Sequence, residues 1–139
     1  MFQRAVVPID LKHAENLKKA REAAIDLAAH YGAEVRYVGV TSALPGALAH
    51  TPEEYEAKLK QLAEDDAAGK GVAVSAQVIV SHDPTADLEK SLLDAIRASG
   101  ADLVVMGTHV PNLGDGFWSS NGALIARHAP VSVFLVRAV

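Results

Sequence analysis

A chain of 139 residues with no cysteine and a net charge of −4 suffices for one domain, residues 1–139, and cannot use disulfide bonds or cysteine zinc sites. Because its lysines and arginines are scattered without a basic run, we expect no nucleic-acid partner. No apolar run approaches about 20 residues, and an acid at Asp10 follows the first one closely, so we expect no membrane insertion, no signal peptide and a cytoplasmic location.

The first third of the chain predicts two strands around a helix. The run from Arg4 to Ile9 is typical of a short buried strand. Apolar residues at helical spacing then predict a helix over 15–31, which Gly32 ends. The run from Glu34 to Thr41 predicts the second strand.

The middle of the chain predicts a second helix and the clearest strand. Thr51 fits an N-cap, Pro52 fits the first turn, and Glu54 would complete a capping box. We expect Asp65-Asp66 to lie on the solvated face of this helix. Apolar residues at alternate positions, Val72, Val74, Ala76, Val78 and Val80, predict the third strand.

The last third contains two further helices and two strands. Asp83-Pro84 predicts a helix start and Gly100 its end, and Leu103 to Met106 is a continuous apolar strand. After an irregular stretch, Ser119 or Ser120 begins a helix that ends near His128. Residues 131–136 form the last predicted strand.

Alternation of five strands with four helices predicts an α/β fold of parallel βαβ units. In open parallel sheets, ligands bind beyond the carboxyl ends of the strands, where the strand order reverses. If strand 1 lies next to strand 4, this crevice lies between Pro8-Ile9-Asp10 and Met106-Gly107-Thr108-His109, and the end of strand 2 near Val40 forms a wall.

The connection from Gly107 to Trp118 is long for an α/β unit, where about 2–6 residues are typical. It contains three glycines and leads into Ser119-Ser120-Asn121 at a helix start, which suits a phosphate group. Serine and asparagine are also ordinary helix caps, so both interpretations stay open. Trp118 could be a lid over this loop or part of a partner surface.

Three segments together resemble universal stress proteins. They are Val7-Pro8-Ile9-Asp10, the stretch 101–109 (ADLVVMGTH), and Arg127-His128-Ala129-Pro130 with the strand that follows it. The resemblance implies a Rossmann-like open parallel five-stranded sheet in the order 3-2-1-4-5, with helices on both faces. It also implies a homodimer formed through the final strand, Val131 to Val136, and an apolar edge strand is indeed usually paired or covered.

Many members of that family bind ATP through a pattern of Gly, two residues, Gly, nine residues, Gly, then Ser or Thr. Gly107 matches the first glycine and Val110 stands at the second, while the third falls at Ser119 or Ser120, depending on one gap. In the shorter loop of a family subset, Ser119 takes the glycine position and Ser120 that of the phosphate-binding serine. The resemblance implies contacts to the adenosine end from the first strand and Val40, to the ribose and first phosphate from the fourth strand, and to the phosphates from the helix start. The implied residues are Pro8, Ile9, Asp10, Val40, Met106, Gly107, His109, Val110, Ser119, Ser120 and Asn121.

The loop departs from the family pattern in ways that matter for phosphate binding. A Cβ atom at Val110 or Ser119 can block close backbone approach to a phosphate, and residues 107–121 contain no lysine or arginine. A triphosphate would depend on backbone N–H groups, hydroxyls, His109 and Mg²⁺, whereas ADP or AMP would demand less. Val40 and Met106 have core packing as an alternative role, and Asp10 has helix capping.

Motifs of common enzymes are absent. The sequence has no GxxxxGK[ST], no GxGxxG after a strand, no GxSxG and no HExxH, so we expect no enzyme beyond a slow ATPase. His13, His82 and His109 could face the crevice, but their spacing matches no metal motif, and we expect no metal site.

Three functions remain as hypotheses. The first is a regulatory module in stress response that binds ATP, ADP or AMP and acts through an unknown protein partner. The second is a nucleotide-free dimeric scaffold of the same fold, and the third is a weak ATPase.

Overall fold

The computed structural model describes residues 1–46, 48–84, 86–108 and 121–138, with only the backbone of Asn121 and Ala123. Along these residues strands and helices alternate. The strands are β1 Arg4–Pro8, β2 Glu34–Thr41, β3 Val74–Val80, β4 Leu103–Thr108 and β5 Ser132–Arg137. The α-helices are α1 Lys18–Tyr31, α2 Pro52–Ala67, α3 Leu88–Ser99 and α4 Asn121–His128, and a 3₁₀ helix, Leu11–Leu17, lies between β1 and α1.

The five strands form one parallel sheet in the order β3-β2-β1-β4-β5. This confirms the predicted fold class and strand order. Because the order reverses at β1, the connections from β1 to β2 and from β4 to β5 leave the sheet in opposite directions, which opens a crevice at the strand ends. Within the described ranges, no helix is both long and apolar enough to cross a lipid bilayer.

Helices cover both faces of the sheet, and each face has its own apolar core. Side chains of a strand alternate between faces, so Ala5 and Val7 pack with α1 and α2 while Val6 between them packs with α3 and α4. β4 is buried at every position, and its side chains alternate between the two cores in the same way. The near-continuous apolar strands therefore reflect burial on two sides.

Helix ends agree with the sequence prediction better than helix starts. Gly32 and Gly100 end α1 and α3 in the left-handed region, at φ 69° and 71°. The predicted helix over 15–31 is instead a 3₁₀ helix followed by α1. Likewise α3 begins at Leu88 rather than at Asp83, since the Asp83 carboxylate caps the preceding turn by accepting the N–H of Ala86 at 3.1 Å.

The start of α2 has the predicted N-cap, but the second hydrogen bond of the capping box is formed with a different residue. The Thr51 hydroxyl accepts the N–H of Glu54 at 3.1 Å, as expected for an N-cap. The Glu54 carboxylate accepts the N–H of His50 at 3.2 Å rather than that of the cap residue itself. The cap therefore also holds the end of the loop that precedes α2.

A polar network lies between α1, α2 and β2, and it corrects one prediction. Asp66 does not lie on a solvated face: its carboxylate accepts bonds from Nη1 of Arg21 at 2.8 and 2.9 Å and from the Tyr37 hydroxyl at 2.6 Å. The side chain of Arg21 is 5% exposed and that of Asp66 is 18% exposed. Burial and the hydrogen bond to Asp66 raise the pKa of Tyr37, so its phenol stays neutral. Asp65 is exposed, as expected.

Candidate functional site

The carboxyl ends of β1 and β4 meet at the predicted crevice. β1 pairs with β4 through Ala5–Leu103 and Val6–Val104, and with β2 on its other side. The segments that follow β1, β2 and β4 therefore emerge side by side at one edge of the sheet. This is the position where open α/β sheets hold ligands.

Asp10, directly after β1, caps the 3₁₀ helix. One carboxylate oxygen accepts the N–H of Lys12 at 3.1 Å, and the other lies 2.9 Å from Nδ1 of His13. The Asp10 side chain is 15% exposed. Its capping role is thus present in the structure, and a ligand that bound Asp10 would share an oxygen with these partners.

Four of the residues implied by the resemblance are buried or half-buried, and three of them, Ile9, Met106 and Val40, belong to the apolar cores. The side chains of Pro8, Ile9 and Met106 are buried, and Val40 is half-buried against the core under α3 and α4. The N–H of Ile9 donates to the carbonyl of Val38 at 2.8 Å. Contacts from Pro8, Ile9 or Met106 to a ligand would therefore come mainly from backbone atoms.

Gly107 lies near the carboxyl end of β4 and is tightly covered. A Cβ atom at this position would lie 2.5 Å from Cδ2 of Leu17 and 3.4 Å from Cβ of Ala20. Packing of the segment that leads into α1 therefore favours glycine here, whether or not a phosphate approaches it. Gly107 therefore has a structural role in packing against Leu17 and Ala20, in addition to the ligand contact that the resemblance implies.

Most of the remaining residues of the implied phosphate site lie outside the described part of the chain. His109, Val110, Ser119 and Ser120 lie outside the described residues, as does Trp118. Asn121 is the first residue of α4. The ligand roles that the resemblance implies for His109, Val110, Ser119, Ser120 and Asn121 therefore stay predictions, as does the role of Trp118.

A cavity of about 450 Å³ opens beside the crevice, between the 3₁₀ helix, the end of β2 and the start of α2. This volume lies within the range of about 300–1,000 Å³ that is usual for small-molecule pockets. The lining is mainly apolar and includes three residues with hydroxyl groups and one lysine. The lining residues are Lys12, Thr41, Ser42, Leu44, Pro45, Gly46, Leu48, Ala49 and Tyr55.

Tyr55 joins α2 to the segment after β1. Its side chain is buried, and its hydroxyl oxygen accepts the N–H of Leu11 at 3.3 Å. Burial raises the pKa of Tyr55, and the Asp10 carboxylate adds to this, against the opposing effect of the Leu11 N–H. The phenol is therefore neutral near pH 7, and its own proton remains available to a ligand.

The histidines of the described residues do not assemble a metal centre. His13 contacts Asp10, and His82 is exposed beyond the end of β3. In the part of the chain that the structure describes, no group of three or more His, Cys, Asp or Glu side chains could hold a metal ion.

Comparison with known proteins identifies the family. The family model described as the universal stress protein family matches residues 1–137. The chain belongs to the universal stress protein family. This confirms the resemblance drawn from its strand ends and final helix.

Solved universal stress proteins share the fold over nearly the whole chain. A universal stress protein in complex with cAMP is 19% identical, with 99% of each chain covered and a TM-score of 0.72. A protein from Archaeoglobus fulgidus in complex with dAMP is 21% identical, covers 96% of each chain and has a TM-score of 0.64. An Arabidopsis thaliana family member with AMP bound is 15% identical over 97% of this chain and 90% of its own, with a TM-score of 0.65. At these identities the likeness is one of fold.

Two residues of this universal stress protein's site were missed by the sequence analysis. Lys12 lies in the 3₁₀ helix, two positions after Asp10, so its place close to the end of β1 could be inferred from the sequence. Tyr55 was assigned only to the apolar side of α2, and its contact with Leu11 spans 44 positions. No local pattern predicts such a contact.

Proposed function

We propose that this universal stress protein is a regulatory module that binds an adenine nucleotide in the crevice and acts through a protein partner. The observation that carries the proposal is the crevice at the ends of β1 and β4 in a member of this family. Relatives of the same fold are complexes with cAMP, dAMP or AMP. Three separate relatives thus hold an adenine nucleotide with a single phosphate.

The charge of the loop favours ligands with few phosphates. Residues 107–121 contain no lysine or arginine and one acid, Asp115. Each added phosphate brings negative charge that backbone N–H groups and hydroxyls must balance. ATP would therefore need a further cation such as Mg²⁺, and we expect AMP and ADP to bind without one.

Calorimetry tests the nucleotide proposal. We expect purified protein to bind AMP, ADP or ATP with 1:1 stoichiometry, with ATP alone requiring Mg²⁺. GMP serves as the matched control, because it keeps the phosphate and ribose and changes the base. The absence of heat with every adenine nucleotide, and of nucleotide in an extract of the purified protein, would refute the proposal. We also expect no ATP turnover above the buffer rate.

The second candidate is a nucleotide-free dimeric scaffold. Two observations favour it. The packing of Leu17 explains why residue 107 is a glycine without any ligand. Both carboxylate oxygens of Asp10 already have partners within the protein. A protein that binds no nucleotide and still forms dimers would support this scaffold.

Dimerisation through the final strand belongs to both candidates. β5 is an edge strand, and Phe134 and Leu135 on it are 46% and 42% exposed. Open edges with exposed apolar side chains are usually paired or covered. We therefore propose that the segment 131–136 forms the dimer interface with a second copy.

A charge on this edge should separate the copies. We expect Phe134→Glu to convert a dimer into a monomer at micromolar concentration, because the new carboxylate would be buried against the partner. Light scattering measures the mass. Val80→Glu, at an exposed apolar residue of the opposite edge strand, is the matched control and should leave the dimer intact. A monomeric wild-type protein would contradict the proposed interface.

A further inference from the structure

β3 is an edge of the sheet that lacks the usual protection of edge strands. It stands at one end of the strand order, where it pairs with β2. Its seven residues, VSAQVIV, contain no charge and no proline, and they pair one to one with β2 from Val74 to Val80 without a bulge. Charged residues, prolines and bulges keep edge strands from pairing with another chain. β3 is therefore competent to accept a further strand.

The backbone groups that β3 offers to such a strand belong to alternate residues. The N–H of Ser81, directly after β3, donates to the carbonyl of Thr41 at 2.8 Å, so the odd-numbered residues bond to β2. In a parallel ladder, the residues between them direct N–H and C=O groups away from the partner strand. The residues whose backbone groups face the open edge are Val74, Ala76, Val78 and Val80.

The two faces of β3 differ in chemistry. Val74, Ala76 and Val78 pack against the core under α1 and α2, and Val80 continues this apolar stripe with 51% of its surface exposed. Ser75 and Gln77 are half-buried and lie on the opposite face. A strand added at this edge would therefore meet apolar side chains on one face, and hydroxyl and amide groups on the other.

A guanidinium group lies across the polar face of β3 and has no acidic partner. Arg36 of β2 is in register with Ser75. Its Nε donates to the Ser75 hydroxyl at 3.3 Å, and its Nη1 donates to Oε1 of Gln77 at 3.5 Å. Both distances are long for hydrogen bonds, and both acceptors are neutral. Among the described residues no carboxylate forms an ion pair with Arg36, whereas Arg21 and Arg97 each have one.

This guanidinium is placed to meet a side chain of an added strand. Its bonds to Ser75 and Gln77 put it over the edge strand itself, and neighbouring strands lie only about 4.8 Å apart. A glutamate on the added strand, opposite one of these residues, can reach it and form charge-assisted hydrogen bonds. A cavity of about 280 Å³ beside the end of α3 provides space for the carboxylate. It is lined by Arg36, Ser75, Ala76, Gln77, Ala98 and Ser99.

We propose that β3 is the docking edge for an extended segment of a protein partner, which adds to the sheet as a further strand. The segment alternates apolar side chains, which extend the stripe beside α2, with acidic side chains, one of which pairs with Arg36. A second copy of this chain does not match this chemistry, because neither of its edge strands, VSAQVIV and SVFLVR, contains an acid. The inference deepens the proposed function, resting on its protein partner but not on a bound nucleotide.

Peptide titration followed by NMR of the labelled protein tests the docking edge. The probe is a nine-residue peptide of alternating Glu and Val with blocked ends, and its control has Lys in place of every Glu. We expect the Glu peptide to shift the amide signals of β3 and to bind at least about 10-fold more tightly than the Lys peptide. N-methylation of alternate peptide bonds in the probe should abolish binding, because the main-chain ladder can no longer form.

Three variants separate charge from edge pairing. Arg36→Met should weaken binding of the Glu peptide by about 10-fold and remove its advantage over the Lys peptide. Arg97→Met is the matched control, since it removes an exposed arginine of α3 that does not line the cavity, and it should leave binding unchanged. Ala76→Pro removes an outward N–H and keeps the ladder to β2, so we expect a folded protein, checked by its thermal melt, that no longer binds.

Each contrary result is distinct. Equal affinities of wild type and Arg36→Met for the Glu peptide would overturn the role of Arg36. A wild type whose β3 signals do not respond to the Glu peptide would overturn the docking edge, and nucleotide calorimetry on the same protein shows separately whether the nucleotide function stands. A protein mass that falls when Ala76→Pro is introduced would mean that a second copy occupies β3, which would overturn the proposed partner.

Discussion

Replacement of Asp66 by alanine is expected to lower the free energy of unfolding by about 3 kcal/mol, because it leaves a buried guanidinium without its counter-ion. Arg21 is 4% exposed and already has an Nε without a hydrogen-bond partner among the described residues. The Tyr37 hydroxyl loses its acceptor in the same step. Urea denaturation at pH 7 measures the change.

Three further variants separate the causes of this loss. Tyr37→Phe removes a single hydrogen bond and should cost about 1 kcal/mol. Asp65→Ala, at the exposed neighbour, is the matched control and should change stability by less than about 0.5 kcal/mol. The double variant Arg21→Met with Asp66→Leu removes both charges and should recover most of the loss. An Asp66→Ala protein as stable as the control would contradict the buried ion pair.

Replacement of Gly107 by valine is expected to destabilise the fold by about 2–3 kcal/mol through overpacking. The new Cβ would meet Leu17 at a distance that no unshifted side chain tolerates, and the added methyl groups worsen the clash. Loss of nucleotide binding by this variant alone would therefore not identify Gly107 as a ligand residue.

Relief of the clash makes the experiment decisive. Leu17→Ala alone should lower the free energy of unfolding by about 2–5 kcal/mol, because it truncates a buried leucine. When Leu17→Ala is combined with Gly107→Val, the valine side chain fills part of the space that the leucine leaves. We expect the double variant to be at least about 1 kcal/mol more stable than the sum of the single effects. If the folded double variant still binds AMP like wild type, Gly107 serves packing; if it does not, the backbone at 107 approaches the ligand. Strict additivity would contradict the contact between the two residues.

Part of the candidate site could be predicted from the sequence pattern, and part of it could not. Asp10 was placed correctly at the end of β1 because a charged residue after a buried apolar run marks a strand end. Its dual engagement with Lys12 and His13 depends on the 3₁₀ helix, which has no apolar periodicity of its own to reveal it. The cavity arises where the loop after β2 passes over the segment after β1, a path that local propensity does not determine.

The fold class and the bounds of β2 could be predicted from the sequence, because a parallel sheet covered on both faces requires buried apolar runs that alternate with amphipathic helices. The strand order was predicted through the family resemblance. Helix ends at Gly32 and Gly100 were equally local, since a left-handed residue favours glycine. The role of Asp66 and the position of Lys12 in the cavity lining became visible in the three-dimensional structure alone. Burial and charge partners depend on segments far apart in the chain, as the 45 positions between Arg21 and Asp66 illustrate.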